Sequence, residues 1–184
     1  MSYTFTNNWF NNSEIKSLIL KYIDVTNSNK ILEIGSYEGA SACFFSDILL
    51  NNNGSELTCV DPFDNSDPTS PVTDNVKVLF YSNISQSKNY NKITVKELYS
   101  NDFYNENNKT YNFIYIDGSH RLDDITVDFT NCLKIIETNG IIWMDDYRGD
   151  DGVSIKNHID ALYEQNKHLI EIIHTGYQIA FRKI

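Results

Sequence analysis

Apolar runs alternate with helical patterns along this chain from about residue 14 to its end, and this alternation limits the fold more than any other feature. Strands joined through helices lie parallel, because a parallel neighbour needs a long crossover, and the helices then cover both faces of the sheet. The spacing of Ile15, Leu18, Ile19 and Tyr22 predicts a first helix over 13–23. A strand over 30–34, a helix over 41–50 and a strand over 57–60 follow. Residues 63–73, rich in Pro, Asp, Asn and Ser, predict an irregular loop, with a helix resuming near Asp74. Beyond it come strands over 92–95 and 113–116, a helix over 123–136 that ends in the turn Thr138-Asn139-Gly140, and a strand over 141–144. A helix over 154–165 precedes two β-rich runs, 169–174 and 177–182, which read as a closing hairpin across Thr175-Gly176. The sum is an α/β fold: a doubly wound, seven-stranded, mostly parallel sheet with an antiparallel strand in its C-terminal hairpin and helices on both faces. At 184 residues the chain is expected to be a single domain spanning 1–184. Residues 1–12 form a leader whose Phe5, Trp9 and Phe10 could serve as a lid.

Composition narrows the function. The net charge is −10, whereas a nucleic-acid binder needs Lys and Arg to displace counterions from phosphates, so no nucleic-acid partner is expected. No apolar run approaches the length of a membrane span, and the first residues lack the charged and apolar regions of a secretory signal. No membrane partner is therefore expected, and a cytoplasmic location is. Cys43, Cys59 and Cys132 lie far apart without metal-like pairing, which predicts reduced, buried thiols.

The sharpest local signal is Leu32-Glu33-Ile34-Gly35-Ser36-Tyr37-Glu38-Gly39, a strand that runs into a glycine turn opening a helix. In doubly wound sheets the ligand lies at the carboxyl ends of the strands, where glycine lets the backbone approach it. The spacing Glu-x-Gly-x-x-x-Gly departs from the Gly-x-Gly-x-x-Gly of dinucleotide enzymes, and a carboxylate before the first glycine suits a ligand that bears an ammonium group. Asp61 ends the next strand, where an acid can accept hydrogen bonds from both ribose hydroxyls of an adenosine. Asp117, in Tyr115-Ile116-Asp117-Gly118-Ser119-His120, and the pair Asp145-Asp146 stand at the ends of neighbouring strands. Three carboxylates in one cleft repel unless a proton or a cation intervenes, and Mg²⁺ or a similar hard divalent cation would relieve them. His120, three residues past Asp117, could take a proton from a substrate hydroxyl.

These residues resemble the class I S-adenosylmethionine-dependent methyltransferases, with their Rossmann-like fold. The similarity is to the small-molecule O-methyltransferases: the macrocin and cephalosporin tailoring enzymes and the catechol O-methyltransferases. It covers nearly the whole chain, through 32–39, 57–63, 111–124 and 133–147 in order. It implies that Glu33, Gly35 and Gly39, with Ser36 and Tyr37 in the same turn, hold the methionine part of S-adenosylmethionine. It further implies that Asp61, followed by Pro62 and Phe63, binds the ribose and that Tyr99 and Ser100 flank the adenine. The resemblance likewise implies that Asp117 borders the cofactor and takes part in catalysis and metal binding, with Asp145 and Asp146 as the other Mg²⁺ ligands. Catechol-type enzymes carry a lysine three residues after the first metal acid, and here that residue is His120.

The expected function is metal-assisted O-methylation of a small hydroxylated acceptor, a sugar or a natural product, with His120 and Asp117 in catalysis. Two alternatives stand beside it: an aminopropyltransferase-like enzyme on the same fold, and an inactive cofactor-binding or interaction module. A homo-oligomer is left open.

Overall fold

Alternation within each strand decides how the layers form. In the computed structural model, which describes residues 2–10, 12–64, 75–149 and 152–184, successive strand residues point to opposite faces and join two separate apolar clusters. From β1 (Lys30–Ile34), Ile31 enters one cluster while Leu32 and Ile34 enter the other. From β4 (Tyr111–Ile116), Phe113 and Tyr115 join the first, and Ile114 and Ile116 the second. A sheet apolar on both faces must be covered on both. Helices α1 (Asn12–Tyr22), α2 (Ala40–Leu49) and α3 (Val76–Ser85) supply Ile15, Ile19, Phe45, Leu49 and Phe80 to the first cluster. The second takes Phe103 from α4 (Ser100–Glu106), Phe129 and Leu133 from α5 (Leu122–Ile135), and Ile155 and Ile159 from α6 (Gly152–Asn166).

The remaining strands are β2 (Glu56–Val60), β3 (Ile93–Lys96), β5 (Ile136–Met144), β6 (Ile170–Thr175) and β7 (Ile179–Lys183). The sheet order is β3-β2-β1-β4-β5-β7-β6. All strands up to β5 pair in parallel, and β7 is antiparallel to both β5 and β6, so the predicted hairpin closes the sheet. Strand order reverses between β1 and β4, which opens a crevice at their carboxyl ends.

Two differences from the sequence expectations have physical causes. The helix α4 was not expected: it is seven residues long and buries Phe103 alone, too little for an apolar period to show. The turn at Thr138-Asn139-Gly140 is absorbed into a longer β5, because buried Ile136 already pairs with Tyr111 before the register shifts. Asn139, at φ 63°, supplies the left-handed residue such a turn requires, and Gly140 admits the carbonyl oxygen of Glu137, which would lie 2.8 Å from a Cβ there. Most of the loop predicted over 63–73, and the helix onset near Asp74, lie outside the described residues. The three cysteines are buried free thiols, as expected.

Candidate active site

The glycine turn is built by close approach. Gly35 has φ +82°, its N–H donates to the Val60 carbonyl (2.9 Å), and a Cβ on it would fall 1.9 Å from the carbonyl oxygen of Asp117. Only glycine lets the turn after β1 press against the chain leaving β4. Tyr37 is also left-handed, at φ 47°, and Gly39, at φ +84°, caps α2. Asp61 holds this turn from the end of β2. Its carboxylate accepts the N–H groups of Ser36 (2.8 Å), Tyr37 (2.9 Å) and Phe63 (2.7 Å). Burial raises its pKa while those three donors pull it back.

Glu33 is fully buried beneath the turn. The Ser36 hydroxyl donates to Oε2 (2.5 Å), while Oε1 has no hydrogen-bond partner among the described residues. Burial pushes the Glu33 carboxyl up to about 7, against the pull of Ser36, Ser41 and Cys59. Pro62 and Phe63 follow β2, with the Phe63 ring 4.9 Å from that of Phe80, so this side chain packs under α3. Ser100 opens α4, and the exposed Tyr99 hydroxyl donates to Asp64. Near Ser100, Asp128 accepts the Tyr104 hydroxyl (3.2 Å), and burial lifts its carboxyl to about 6.

Of the acids after β4 and β5, Asp117 and Asp146 come together with His120, and Asp145 is engaged elsewhere. The Asp117 N–H donates to the Ile34 carbonyl (2.8 Å) and the Asp145 N–H to that of Ile116 (2.9 Å), which sets both residues level at the sheet edge. Ligand atoms of Asp117, His120 and Asp146 all lie within 4.8 Å of one another. Asp145 falls outside that group: it accepts the Tyr115 hydroxyl through Oδ2 and the Asp146 N–H through Oδ1 (2.8 Å). The same Tyr115 hydroxyl lies 3.5 Å from Asp117 Oδ2. His120 Nε2 meets Asp146 Oδ2 at 2.8 Å, and the Tyr177 hydroxyl donates to Oδ1. Against the penalty of burial, His120 and Tyr177 hold Asp146 below the usual carboxylate range. Burial, then the charges of Asp145, Asp146 and Glu33, drive Asp117 well above it. Beside the cluster, Ile125, Met144, Ile155 and Ile159 wall a small cavity under the loop 117–120.

Two site residues were missed by sequence reasoning. Tyr115 stands two positions before Asp117 on the same strand face, a period-two signal that could have found it. Tyr177 arrives from the β6–β7 turn, 31 residues from Asp146, and nothing local marks it.

Solved structures share this architecture. The chain aligns over 97% of its length with 84% of an O-methyltransferase from Bacillus cereus in complex with SAH, at 17% identity and a TM-score of 0.70. It covers 93% of itself and 78% of the O-methyltransferase TomG from Streptomyces achromogenes in complex with SAM, at 13% identity and a TM-score of 0.66. An rRNA methylase from Streptococcus thermophilus aligns over 93% of this chain and 95% of its own, at 7% identity and a TM-score of 0.65. At such identities the likeness shows the fold alone. No curated protein sequence matches the chain. The profile of a family described as "Methyltransferase domain" matches residues 32–147, from the strand that carries Glu33 to the Asp145-Asp146-Tyr147 run. With that match over more than half of its length, on a Rossmann-like sheet of matching form, the chain belongs to the methyltransferase-domain family.

Proposed function

We propose that the chain uses S-adenosylmethionine to methylate an oxygen of a small hydroxylated acceptor, with a divalent cation at the acids after β4 and β5. The observation that carries this reading is Oε1 of Glu33, buried without a hydrogen-bond partner among the described residues, on a carboxylate whose charge acts on Asp117. A buried carboxylate oxygen without a donor calls for a cationic or hydrogen-donating ligand, and the ammonium of a methionine moiety is one. Asp61, which already arranges the turn through three N–H groups, keeps acceptor capacity for ribose hydroxyls. Gly35, Ser36, Tyr37 and Gly39 would bring backbone close to the ligand, and the resemblance assigns Ser100, at the start of α4, to its adenine end.

The acid cluster fits a divalent cation. The carboxylates of Asp117 and Asp146, whose ligand atoms lie within 4.8 Å of one another, offer hard oxygen donors for such an ion, the His120 imidazole stands beside them, and Asp145 is one tyrosine hydroxyl away. Mg²⁺, when bound by Asp117 and Asp146 with Asp145, would lower the pKa of an acceptor hydroxyl. Asp146 orients the imidazole of His120 through Nε2, which makes His120 the group placed to accept that proton. Asp117 touches both the cofactor turn and the cluster, and so aligns the two reactants. The net charge of −10 supports a small acceptor over an RNA one.

Calorimetry with S-adenosylhomocysteine, followed by turnover of a panel of sugars, catechols and polyketides with and without EDTA, tests the reading. Micromolar binding and EDTA-sensitive methyl transfer are expected. Binding of decarboxylated cofactor with polyamine turnover would move the chain to aminopropyl transfer, and binding without turnover of any acceptor would favour a module over an enzyme.

A further inference from the structure

Glu38 belongs to the glycine turn, is 2% exposed, and has no part in the mechanism above. A buried carboxylate must find donors, and those of Glu38 come from the leader. The Thr6 N–H donates to Oε2 (2.7 Å) and the Thr6 hydroxyl to Oε1. Asn83, fully buried on α3, forms the other half of a clasp. Its amide nitrogen donates to the carbonyls of Thr4 and Glu38 (each 2.9 Å), and its oxygen accepts the Thr4 N–H (2.8 Å). One residue further along the turn from Ser36, the left-handed Tyr37 is met by Asn7, whose amide donates to its hydroxyl (3.0 Å), and by the Trp9 ring at 4.8 Å. Phe10 packs its ring at 6.0 Å from Tyr115, whose hydroxyl serves the acid cluster.

We infer that the leader over residues 3–10 is a fixed part of the cofactor site, in which Thr6 and Asn83 act as positioning residues that hold the turn through Glu38. A left-handed tyrosine and a buried acid are each unfavourable by themselves, and both are met on one turn. The leader satisfies the acid and packs the tyrosine, so the turn is set before ligand arrives, and the ordering cost of binding falls. Such a strap differs from a free lid: its contacts go to the turn that would carry the cofactor. The inference rests on the reading that this turn takes S-adenosylmethionine.

The test is calorimetry with S-adenosylhomocysteine on the full chain and on Thr6→Val, Thr6→Ser and Asn83→Ala, with thermal unfolding to establish that each is folded. Tryptophan emission during the titration is the second readout, with Trp9→Phe as its control. The expected result is affinity lowered about tenfold in Thr6→Val and Asn83→Ala, restored in Thr6→Ser, which keeps the hydroxyl donor. An emission change lost in Trp9→Phe is also expected. Folded Thr6→Val and Asn83→Ala variants that bind like the wild type, or an emission silent to ligand, overturn the inference. A wild-type chain that fails to bind S-adenosylhomocysteine instead sinks the methyltransferase reading on which it rests, so the two failures are told apart.

Discussion

Glu33 shows how much of the site's behaviour resides in single groups. Its carboxyl moves from an ordinary 4.5 to about 7 through burial, so the folded chain holds the proton more tightly than the unfolded one. The stability tied to that proton is complete below about 4.5 and is lost as pH rises through about 7. Glu33→Gln should therefore be more stable than the wild type at pH 8, by roughly 3 kcal/mol, and nearly equal to it at pH 4. Urea unfolding at both pH values checks the sign, and a loss of stability at pH 8 would show that the carboxylate is better paired than its geometry indicates. A bound ammonium reverses the preference. Cofactor uptake near pH 7 should then release a proton, seen as a binding enthalpy that changes with the ionisation enthalpy of the buffer. Gly35 gives a companion prediction. Alanine there meets both a left-handed φ and the Asp117 carbonyl, so Gly35→Ala should cost at least about 2 kcal/mol and weaken S-adenosylhomocysteine binding in calorimetry.

At the scale of elements, legibility followed the strength of each periodic signal. Strand β1 lies where five residues of pattern put it, and β2, β4, α2 and α5 differ by a residue or two at their ends. Apolar strands that end in Gly35, Asp61, Asp117 and Asp145 announce both the sheet and its ligand edge, because in a parallel sheet those ends share one side. What stayed hidden was whatever depends on distant partners. Helix α4 owes its place to packing against α5. The Tyr115 hydroxyl finds Asp145 across 30 residues, and Thr6 finds Glu38 across 32. The sequence reading grouped Asp145 with the other acids by order alone, and the geometry engages it with a tyrosine that order does not reveal. Asn139 carries the prediction proper to this scale. Its φ of 63° lets β5 start early and still regain register, so Asn139→Gly should be neutral or slightly stabilising, whereas Asn139→Val should cost about 1–2 kcal/mol in thermal unfolding.

Across the whole molecule, acids accumulate at one end of the sheet: Glu33, Asp61, Asp117, Asp145 and Asp146 all stand at or just past strand ends, in a chain of net charge −10. Protein groups answer part of this charge. Tyr115 donates to Asp145, and His120 and Tyr177 serve Asp146, while Asp117 meets the Tyr115 hydroxyl at 3.5 Å and has its pKa driven well above 3.8 by burial and its neighbours. A folded-state pKa raised in this way means that stability is lost as pH rises from the usual carboxylate range through the raised value. At pH 8 the apo chain thus bears a penalty that either a cation or removal of the charge should relieve. Asp117→Asn should accordingly melt higher than the wild type at pH 8 in EDTA. Millimolar Mg²⁺ should raise the melting temperature of the wild type and leave that of Asp117→Asn unmoved, since an ion that binds only the folded cluster stabilises by mass action. Differential scanning calorimetry on the two chains, each with EDTA and with Mg²⁺, separates the effects. If Mg²⁺ shifts both chains alike, its binding lies elsewhere; if it shifts neither while EDTA leaves methyl transfer intact, hydrogen bonds from Tyr115, Tyr177 and His120 meet the need that the sequence assigned to a metal.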